Sequence, residues 1–236
     1  MAVENLPTTI IMDLPSFFFA DWALWLANGL TLALLGLAAT RVRWHSLAPH
    51  VLNAWLGGCV LIMVLWLMKG GFKPGLSFHL IGAAVLTLLA GAPFALLGLA
   101  AVLLAVTAGT QGDWLAMGIN WLATVLVPVM VVRATLHWAR HKLPGHFFVY
   151  VFVNAFSAGG FSMFAAGLTG LVTLGLAEAY PWDYLLADTL PFYFLLSWSE
   201  AFTTGLVIAV MVVYRPQWVS TFDDAHYLRS PDDDDI

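Results

Sequence analysis

The strongest constraint on this chain is a series of seven apolar stretches that together occupy most of its 236 residues. A helix needs about 20 mainly apolar residues to cross the hydrocarbon core of a bilayer. Because the backbone finds no water there, such stretches fold as helices with internal hydrogen bonds. The sequence therefore predicts an all-α fold, a polytopic integral membrane helical bundle with about seven transmembrane helices. The predicted spans are Phe17–Thr40, His50–Met68, Ser77–Ala90, Pro93–Ala108, Asp113–Trp138, Phe147–Leu176 and Leu185–Tyr214.

Two parts of this pattern depart from simple crossing helices. The third and fourth spans are short, and Gly91-Ala92-Pro93 joins them with a tight turn. We therefore expect these two spans to form a shallow hairpin or to tilt little. The sixth span is long and rich in glycine, which predicts a break within it.

The composition excludes several other classes of protein. Hydrophobic residues make up 61% of the chain and charged residues 10%, far from the values of a soluble domain. The single cysteine, Cys59, excludes a disulfide within the chain and a thiolate metal cluster. The sequence also lacks the basic stripe of a nucleic-acid-binding protein.

The spans divide the chain into three regions. We predict an extracytoplasmic N-terminal segment at 1–16, a single transmembrane domain at 17–216 and an acidic cytoplasmic tail at 217–236. The formal charge of −5 owes much to the terminal run Asp232 to Asp235, which is typical of a solvated tail. The N-terminus lacks the basic region and cleavage site of a secretory signal, so the first helix is expected to remain in the mature protein.

Cationic side chains indicate which loops are cytoplasmic, because Lys and Arg concentrate on that side of a membrane. With seven spans, the loops after the first, fifth and seventh spans fall on one side and carry most of the cations. This arrangement predicts an external N-terminus and a cytoplasmic C-terminus, with Lys69 and Lys73 as exceptions. The cytoplasmic cations are Arg41, Arg43, Arg133, Arg140, Lys142 and Arg215.

The same orientation collects polar side chains at the outer surface. Imidazole, carboxylate and amide groups that meet at the mouth of a helical bundle are suited to bind a cation. The residues brought together there are Met12, Asp13, His79, Asp113, Asn120, Glu178, Asp183 and Asp188.

Two glycine-rich elements within this set are unusual. The first, Gly70-Gly71-Phe72-Lys73-Pro74-Gly75-Leu76-Ser77-Phe78-His79-Leu80-Ile81-Gly82-Ala83-Ala84, brings one histidine to the start of an apolar helix. The second, Gly112-Asp113-Trp114-Leu115-Ala116-Met117-Gly118-Ile119-Asn120, repeats the design with an amide. Glycine allows the backbone to approach a ligand closely.

Together these elements resemble the substrate-binding membrane subunit, or S component, of cobalt and nickel energy-coupling-factor (ECF) transporters, as a divergent branch. The family's His-Leu-x-Gly-Ala element and the turn after it are similar to His79–Ala83 and Leu89–Pro93. Its glycine-and-asparagine element is similar to Asp113–Asn120, and its Glu-x-x-x-x-Gly to Glu200–Gly205. The resemblance covers most of 12–216.

The resemblance implies a metal site at the outer mouth. Relatives begin Met-His-Ile-Pro and hold the metal through the terminal amine, the second residue and the later histidine. The counterpart here is Met12-Asp13-Leu14-Pro15, with eleven residues before it. The implied metal ligands are therefore His79, Asp13, Met12 and Asn120. Met12 has a free amine only if translation starts there or the chain is trimmed.

Aspartate in place of histidine changes the ligand chemistry. Four nitrogens in a plane suit Ni(II), whereas imidazole with carboxylate admits Co, Ni or Zn. The substrate is thus expected to be a divalent transition metal whose identity the ligand set does not fix.

Each of these residues also has a plainer structural interpretation. His79 could bond only to loop backbone, and Asn120 could join two helices. Glu200, inside the seventh span, could face the cavity or bond a neighbouring helix, and we favour the second. The small residues Ala158, Ser162, Ala166 and Gly170 form a ridge that suits either a docking face or internal packing.

Three further histidines are less promising as ligands. His137 and His141 lie four residues apart, so they share a helix face, and His146 follows them. Their cationic neighbours favour a solvated juxtamembrane end over a metal or haem site.

The leading hypothesis is a metal-binding uptake subunit in a bacterial cytoplasmic (inner) membrane. The chain has no Gly-x-x-x-x-Gly-Lys-[Ser/Thr] motif, so transport coupled to ATP requires a transmembrane coupling subunit and ATPase subunits as partners. The alternative is an accessory or assembly subunit with the same fold that does not transport. No enzyme motif is present, and we expect no catalytic activity.

Overall fold

A computed structural model describes residues 14–42, 48–110 and 112–227, apart from the side chains of residues 224 and 225. Met12 and Asp13 therefore lie outside the described residues. The described chain is a helical bundle with one short hairpin. Its elements are α1 (Asp21–Arg41), α2 (Pro49–Leu67), β1 (Gly70–Lys73), β2 (Leu76–Phe78), α3 (Ala83–Ala90), α4 (Ala92–Gly109), α5 (Met117–Lys142), α6 (Phe147–Leu176) and α7 (Tyr184–Tyr214). The chain ends in a 3-10 turn (Pro216–Trp218) and a one-turn helix (Asp224–Tyr227).

The predicted polytopic helical membrane fold is confirmed. Within the described ranges, six helices (α1, α2 and α4 to α7) are long and apolar enough to cross a membrane. The sixth predicted span is one unbroken helix, α6, although Tyr150–Ser157 has π-helical hydrogen bonding. The third predicted span, Ser77–Ala90, differs because only its second half is helical.

A hairpin and an extended loop replace the first half of that span. β1 and β2 pair in antiparallel register, with Gly70 opposite Phe78 and Gly71 opposite Ser77. The four residues from His79 to Gly82 form neither helix nor strand, and we call them the His79 loop. Helix α3 then runs for only eight residues.

Two glycines with positive φ fix the limits of α3. Gly82 caps its first turn with φ +70°, and a Cβ there would lie 2.6 Å from Ile62 side-chain atoms. Gly91 follows its last residue with φ +85°, and α4 begins at once with Pro93 in its first turn. Both positions therefore require glycine, and the predicted tight turn between the third and fourth spans is confirmed.

Contacts between loops define the two ends of the bundle. At the end that the sequence predicts to face outward, which we call the outer end, Phe18 packs edge-on against Tyr180 at 5.7 Å between ring centroids, and the Tyr180 hydroxyl donates to the Pro74 carbonyl over 2.8 Å. At the opposite end, which we call the inner end, the backbone N–H of Ser220 donates to the Leu89 carbonyl over 2.9 Å. Within the described residues, the His79 loop and α3 run from the first end, near Pro74, to the second, at Leu89, beside the six helices that are long enough to cross a membrane.

Helices α6 and α7 pack closely because glycines lie between them. A Cβ on Gly159 would lie 3.0 Å from Thr204, and one on Gly167 would lie 2.3 Å from the Tyr193 ring. Three of the four ridge residues, Ala158, Ser162 and Ala166, are buried, whereas Gly170 is partly exposed. The buried part of the ridge therefore serves internal packing.

Candidate metal site

A small cavity at the outer end contains the predicted ligand His79. Its volume is about 30 Å³, which is enough for an ion or for one or two water molecules. The chain segments around it come from the N-terminal segment, the hairpin, the His79 loop, α5, α6 and α7. Polar or sulfur-bearing side chains in its wall are Ser77, His79, Thr124, Met163 and Tyr193.

The orientation of the His79 ring suits a metal ligand. Its Nδ1 lies 3.1 Å from the Leu80 carbonyl oxygen, which can only accept a hydrogen bond. In the neutral imidazole Nδ1 therefore carries the proton, and Nε2 has the lone pair that binds a metal. The Trp66 ring packs beside His79 at 5.2 Å between centroids and limits its rotation.

The His79 loop is held from several sides through its backbone. The two carboxyl oxygens of Glu200 accept the backbone N–H groups of Ile81 and Gly82 at 2.9 and 2.8 Å. The Trp66 indole donates to the Ile81 carbonyl at 3.2 Å. The first N–H groups of a helix have no partners within it. The Glu200 carboxyl group accepts two such N–H groups, as the carbonyls of a preceding helical turn would.

Glu200 is buried, with 2% of its surface exposed, and its carboxyl group faces the His79 loop. A polar group this deep in a membrane bundle is costly unless it is hydrogen-bonded. The two backbone bonds satisfy it. Of the two interpretations of Glu200, the structure supports the bond to a neighbouring element.

The N-terminal segment reaches the same cavity at Leu14, the first described residue. The Asn120 side chain forms hydrogen bonds with both the backbone N–H and the backbone carbonyl of that residue. Its oxygen accepts the Leu14 N–H at 2.9 Å, and its nitrogen donates to the Leu14 carbonyl at 2.8 Å. The same nitrogen donates to Ala116 at 2.9 Å, so both amide protons are used.

A second side chain holds this segment two residues later. One Asp113 oxygen accepts the Ser16 N–H at 2.7 Å, and the other accepts the Leu115 N–H at 3.2 Å. Leu14 itself is 2% exposed and lines the cavity with His79. Asn120 and Asp113 therefore fix the path by which the chain enters the site.

The described residues supply one imidazole to this site. In the ranges 14–42, 48–110 and 112–227, no cluster of three or more His, Cys, Asp or Glu side chains is placed to hold a metal ion. The rings of His137 and His141 lie 4.2 Å apart between centroids and are tilted by 46°, on the exposed final turns of α5 at the inner end. They are far from the His79 cavity.

Sequence reasoning missed how the site is supported. Glu200 lies 119 residues from Ile81 along the chain, and Asn120 lies 106 residues from Leu14. No local pattern predicts such pairs. The available signal was chemical, since buried carboxyl and amide groups in apolar spans need partners.

Comparisons with known proteins agree with this architecture. The model of the CbiM family, described as the cobalt uptake substrate-specific transmembrane region, matches residues 13–218. A solved truncated transition metal transporter superposes with a TM-score of 0.74 at 20% identity, over 86% of this chain and 99% of that one. A solved transition metal transporter gives 0.70 at 21% identity, over 91% and 96%. These two likenesses establish the fold. No curated protein sequence gives a significant match.

Proposed function

The chain belongs to the CbiM family of substrate-specific transmembrane proteins for cobalt uptake, and we propose that it captures a divalent transition-metal ion at the His79 cavity. It is an S component of the ECF type, and transition-metal uptake is its function. The observation that carries the site is the meeting of two segments. His79 and Leu14 lie far apart in the sequence but line one cavity.

We assign the ligands by their chemistry and position. His79 supplies an imidazole nitrogen through Nε2. Asp13 and Met12 immediately precede Leu14 in the chain, and in this proposal they supply a carboxylate and a backbone or terminal nitrogen. Nitrogen and oxygen donors together suit Co, Ni or Zn.

Asn120 has a different role in this proposal. Both of its amide protons and one oxygen lone pair are already used in the described structure. It positions the N-terminal segment at the cavity and does not supply the main bond to the metal.

Coupling to energy requires other proteins. The sequence has no phosphate-binding loop, so this chain does not hydrolyse ATP by that route. A transmembrane coupling subunit and ATPase subunits are the partners we propose, in a bacterial inner membrane. The family match does not favour the accessory-subunit alternative.

Metal binding by single histidine variants tests the site. In His79→Ala the purified protein should lose at least about tenfold in Co(II) affinity, the equivalent of about 1.4 kcal/mol. His137→Ala removes an exposed imidazole from the other end of the bundle and is the matched control. Cellular Co(II) uptake should fall with His79→Ala and remain with His137→Ala. Equal affinity in all three proteins would reject the site.

The orientation of the chain in the membrane can be tested with a thiol reagent that does not cross the membrane. Cys59 is first replaced by serine, and single cysteines are then introduced as Phe72→Cys and Gln217→Cys, both at exposed positions of opposite ends. We expect the first to react in intact cells and the second only after permeabilisation. The reverse pattern would place His79 on the cytoplasmic side.

A further inference from the structure

The C-terminal end of α3, like its N-terminal end, is completed by hydrogen bonds from another part of the chain. With eight residues α3 is about 12 Å long, too short to cross a membrane. The last four carbonyls of a helix have no partner within it. Gly91 N–H satisfies the Thr87 carbonyl at 2.9 Å, which leaves three others, among them the carbonyls of Leu88 and Leu89.

A segment beyond the last helix satisfies these two carbonyls. The Ser220 N–H donates to Leu89 at 2.9 Å. Thr221 donates to Leu88 twice, through its hydroxyl at 2.7 Å and its N–H at 3.3 Å. The segment thus takes the place of the next helical turn.

The same segment is anchored to α5 and α6. The hydroxyls of Tyr150 and Thr221 are hydrogen-bonded at 2.6 Å, and the Arg140 guanidinium donates to the Thr221 carbonyl at 2.5 Å. Phe222 and Tyr227 each pack edge-on against the Tyr150 ring at 4.9 Å. We call Val219–Tyr227 the strap.

One element therefore holds α3 at both ends. Glu200, within α7, binds the backbone before α3, and Thr221, on the extension of α7, binds its last turn. Since α3 is a single rigid helix between these contacts, a displacement at either end moves the other. His79 lies three residues before the Gly82 cap.

We infer that the strap holds α3, and through it His79, in the geometry for metal capture, and that Thr221 is its positioning residue. This inference rests on the proposed function of the His79 cavity. A partner that displaces the strap at the inner end would free the Leu88 and Leu89 carbonyls, and α3 would then move. Metal release at the outer-end cavity is thereby linked to events at the opposite end of the bundle.

Thr221→Val tests the inference, because it removes the hydroxyl and keeps the side-chain shape. We expect hydrogen exchange to accelerate in peptides covering 79–90, and Co(II) affinity to fall about two- to tenfold, as the loss of one hydrogen bond predicts. Thr221→Ser should restore both. Tyr150→Phe, which removes one partner of the same hydroxyl, should have a smaller effect in the same direction and serves if Thr221→Val fails to fold.

Thr135→Val is the matched control. Among the described residues, the Thr135 hydroxyl bonds only the Val131 carbonyl of its own helix, at 3.0 Å, so neither measurement should change. If Thr221→Val accelerates exchange only in 219–227, with 79–90 and metal affinity as in the wild type, the inference is overturned. If the wild-type protein binds no transition metal, the proposed function fails, while exchange in 79–90 still decides whether the strap holds α3.

Discussion

Two segments meet at the metal cavity, and they are held by different chemistry. The His79 loop is bound by the buried carboxyl group of Glu200, deep in the bundle. The N-terminal segment at Leu14 and Ser16 is bound by the amide of Asn120 and by Asp113, which is only partly buried. Glu200 and Asn120 are both helical residues whose side chains bind backbone groups of a non-helical segment.

The difference indicates which half of the site is fixed. Loss of Glu200 leaves two backbone N–H groups without partners where water is scarce, and each such group costs about 1–3 kcal/mol. The bonds between Asn120 and Leu14 are buried as well, so only the Asp113 bond to the Ser16 N–H lies closer to solvent, which replaces lost hydrogen bonds at lower cost. We therefore regard the His79 loop as the more firmly held half of the site and Ser16 as the weaker attachment of the N-terminal segment.

The largest effect is expected from Glu200→Gln. A glutamine side chain has one oxygen to accept from the two N–H groups of Ile81 and Gly82, and its NH₂ group faces the other. The free energy of unfolding should fall by about 1–3 kcal/mol, with most metal affinity lost. Thermal unfolding in detergent and metal titration measure the two effects.

Glu178→Gln is the control for this substitution, because Glu178 is an exposed carboxylate in the loop before α7. Its effect should stay within about 0.5 kcal/mol. Equal effects of the two variants would show that Glu200 does not fix the loop.

A substitution at Asn120 tests whether this residue positions the N-terminal segment or binds the metal directly. Asn120→Asp keeps an acceptor for the Leu14 N–H but has no donor for its carbonyl, and it introduces a better ligand for a hard metal ion. If Asn120 positions the segment, Co(II) affinity should fall by about three- to tenfold. An affinity equal to or above that of the wild type would identify position 120 as a direct ligand.

A smaller effect is expected from Asp113→Asn. The substitution weakens the bond to the Ser16 N–H, since bonds to charged acceptors are about twice as strong as neutral ones. Metal affinity should fall by about two- to threefold, while hydrogen exchange in 79–90 stays unchanged. Asp183→Asn, an exposed carboxylate between α6 and α7, should change neither. A faster exchange in 79–90 would show that the two halves of the site are not independent.

The smallest effect that we expect is the loss, at high pH, of one hydrogen bond that holds the β1–β2 hairpin. Burial, with Tyr184 nearby, raises the pKa of Tyr180 to about 12, so the folded state favours the neutral phenol. The stabilising bond from Tyr180 to Pro74 should be complete below pH of about 10 and should be lost as pH rises towards about 12. An ultraviolet phenolate titration should lose one late step in Tyr180→Phe. Loss of a step near pH of about 10 instead would show that Tyr180 ionises with the ordinary tyrosines.

The sequence predicted the elements that depend on local composition. Hydrophobic length identifies α1, α2 and α4 to α7, and Gly91 with Pro93 identifies the turn between the third and fourth spans. Hydrophobic length also predicted a helical span at Ser77–Ala90, of which only the second half is helical. The hydrophobic pattern does not reveal that Gly82 takes a positive φ. Nor does it reveal that the carboxyl group of a residue on another helix replaces a helical turn.

The candidate site was predicted only where it depends on local sequence, and its long-range contacts were not predicted. His79 stood out through the glycine-rich loop around it and its resemblance to a family. Leu14 did not stand out, because its importance comes from bonds to Asn120 made across the bundle. The strap was equally hidden, since Thr221 and Ser220 read as part of a polar tail.

The central claim is that the His79 cavity binds the transported metal. An X-ray absorption spectrum of the purified protein, loaded with Co(II) at a stoichiometric amount, tests this directly. The account predicts the outer-shell scattering of a coordinated imidazole in the wild type and in His137→Ala, and its loss in His79→Ala. Imidazole scattering that persists in His79→Ala would contradict the account.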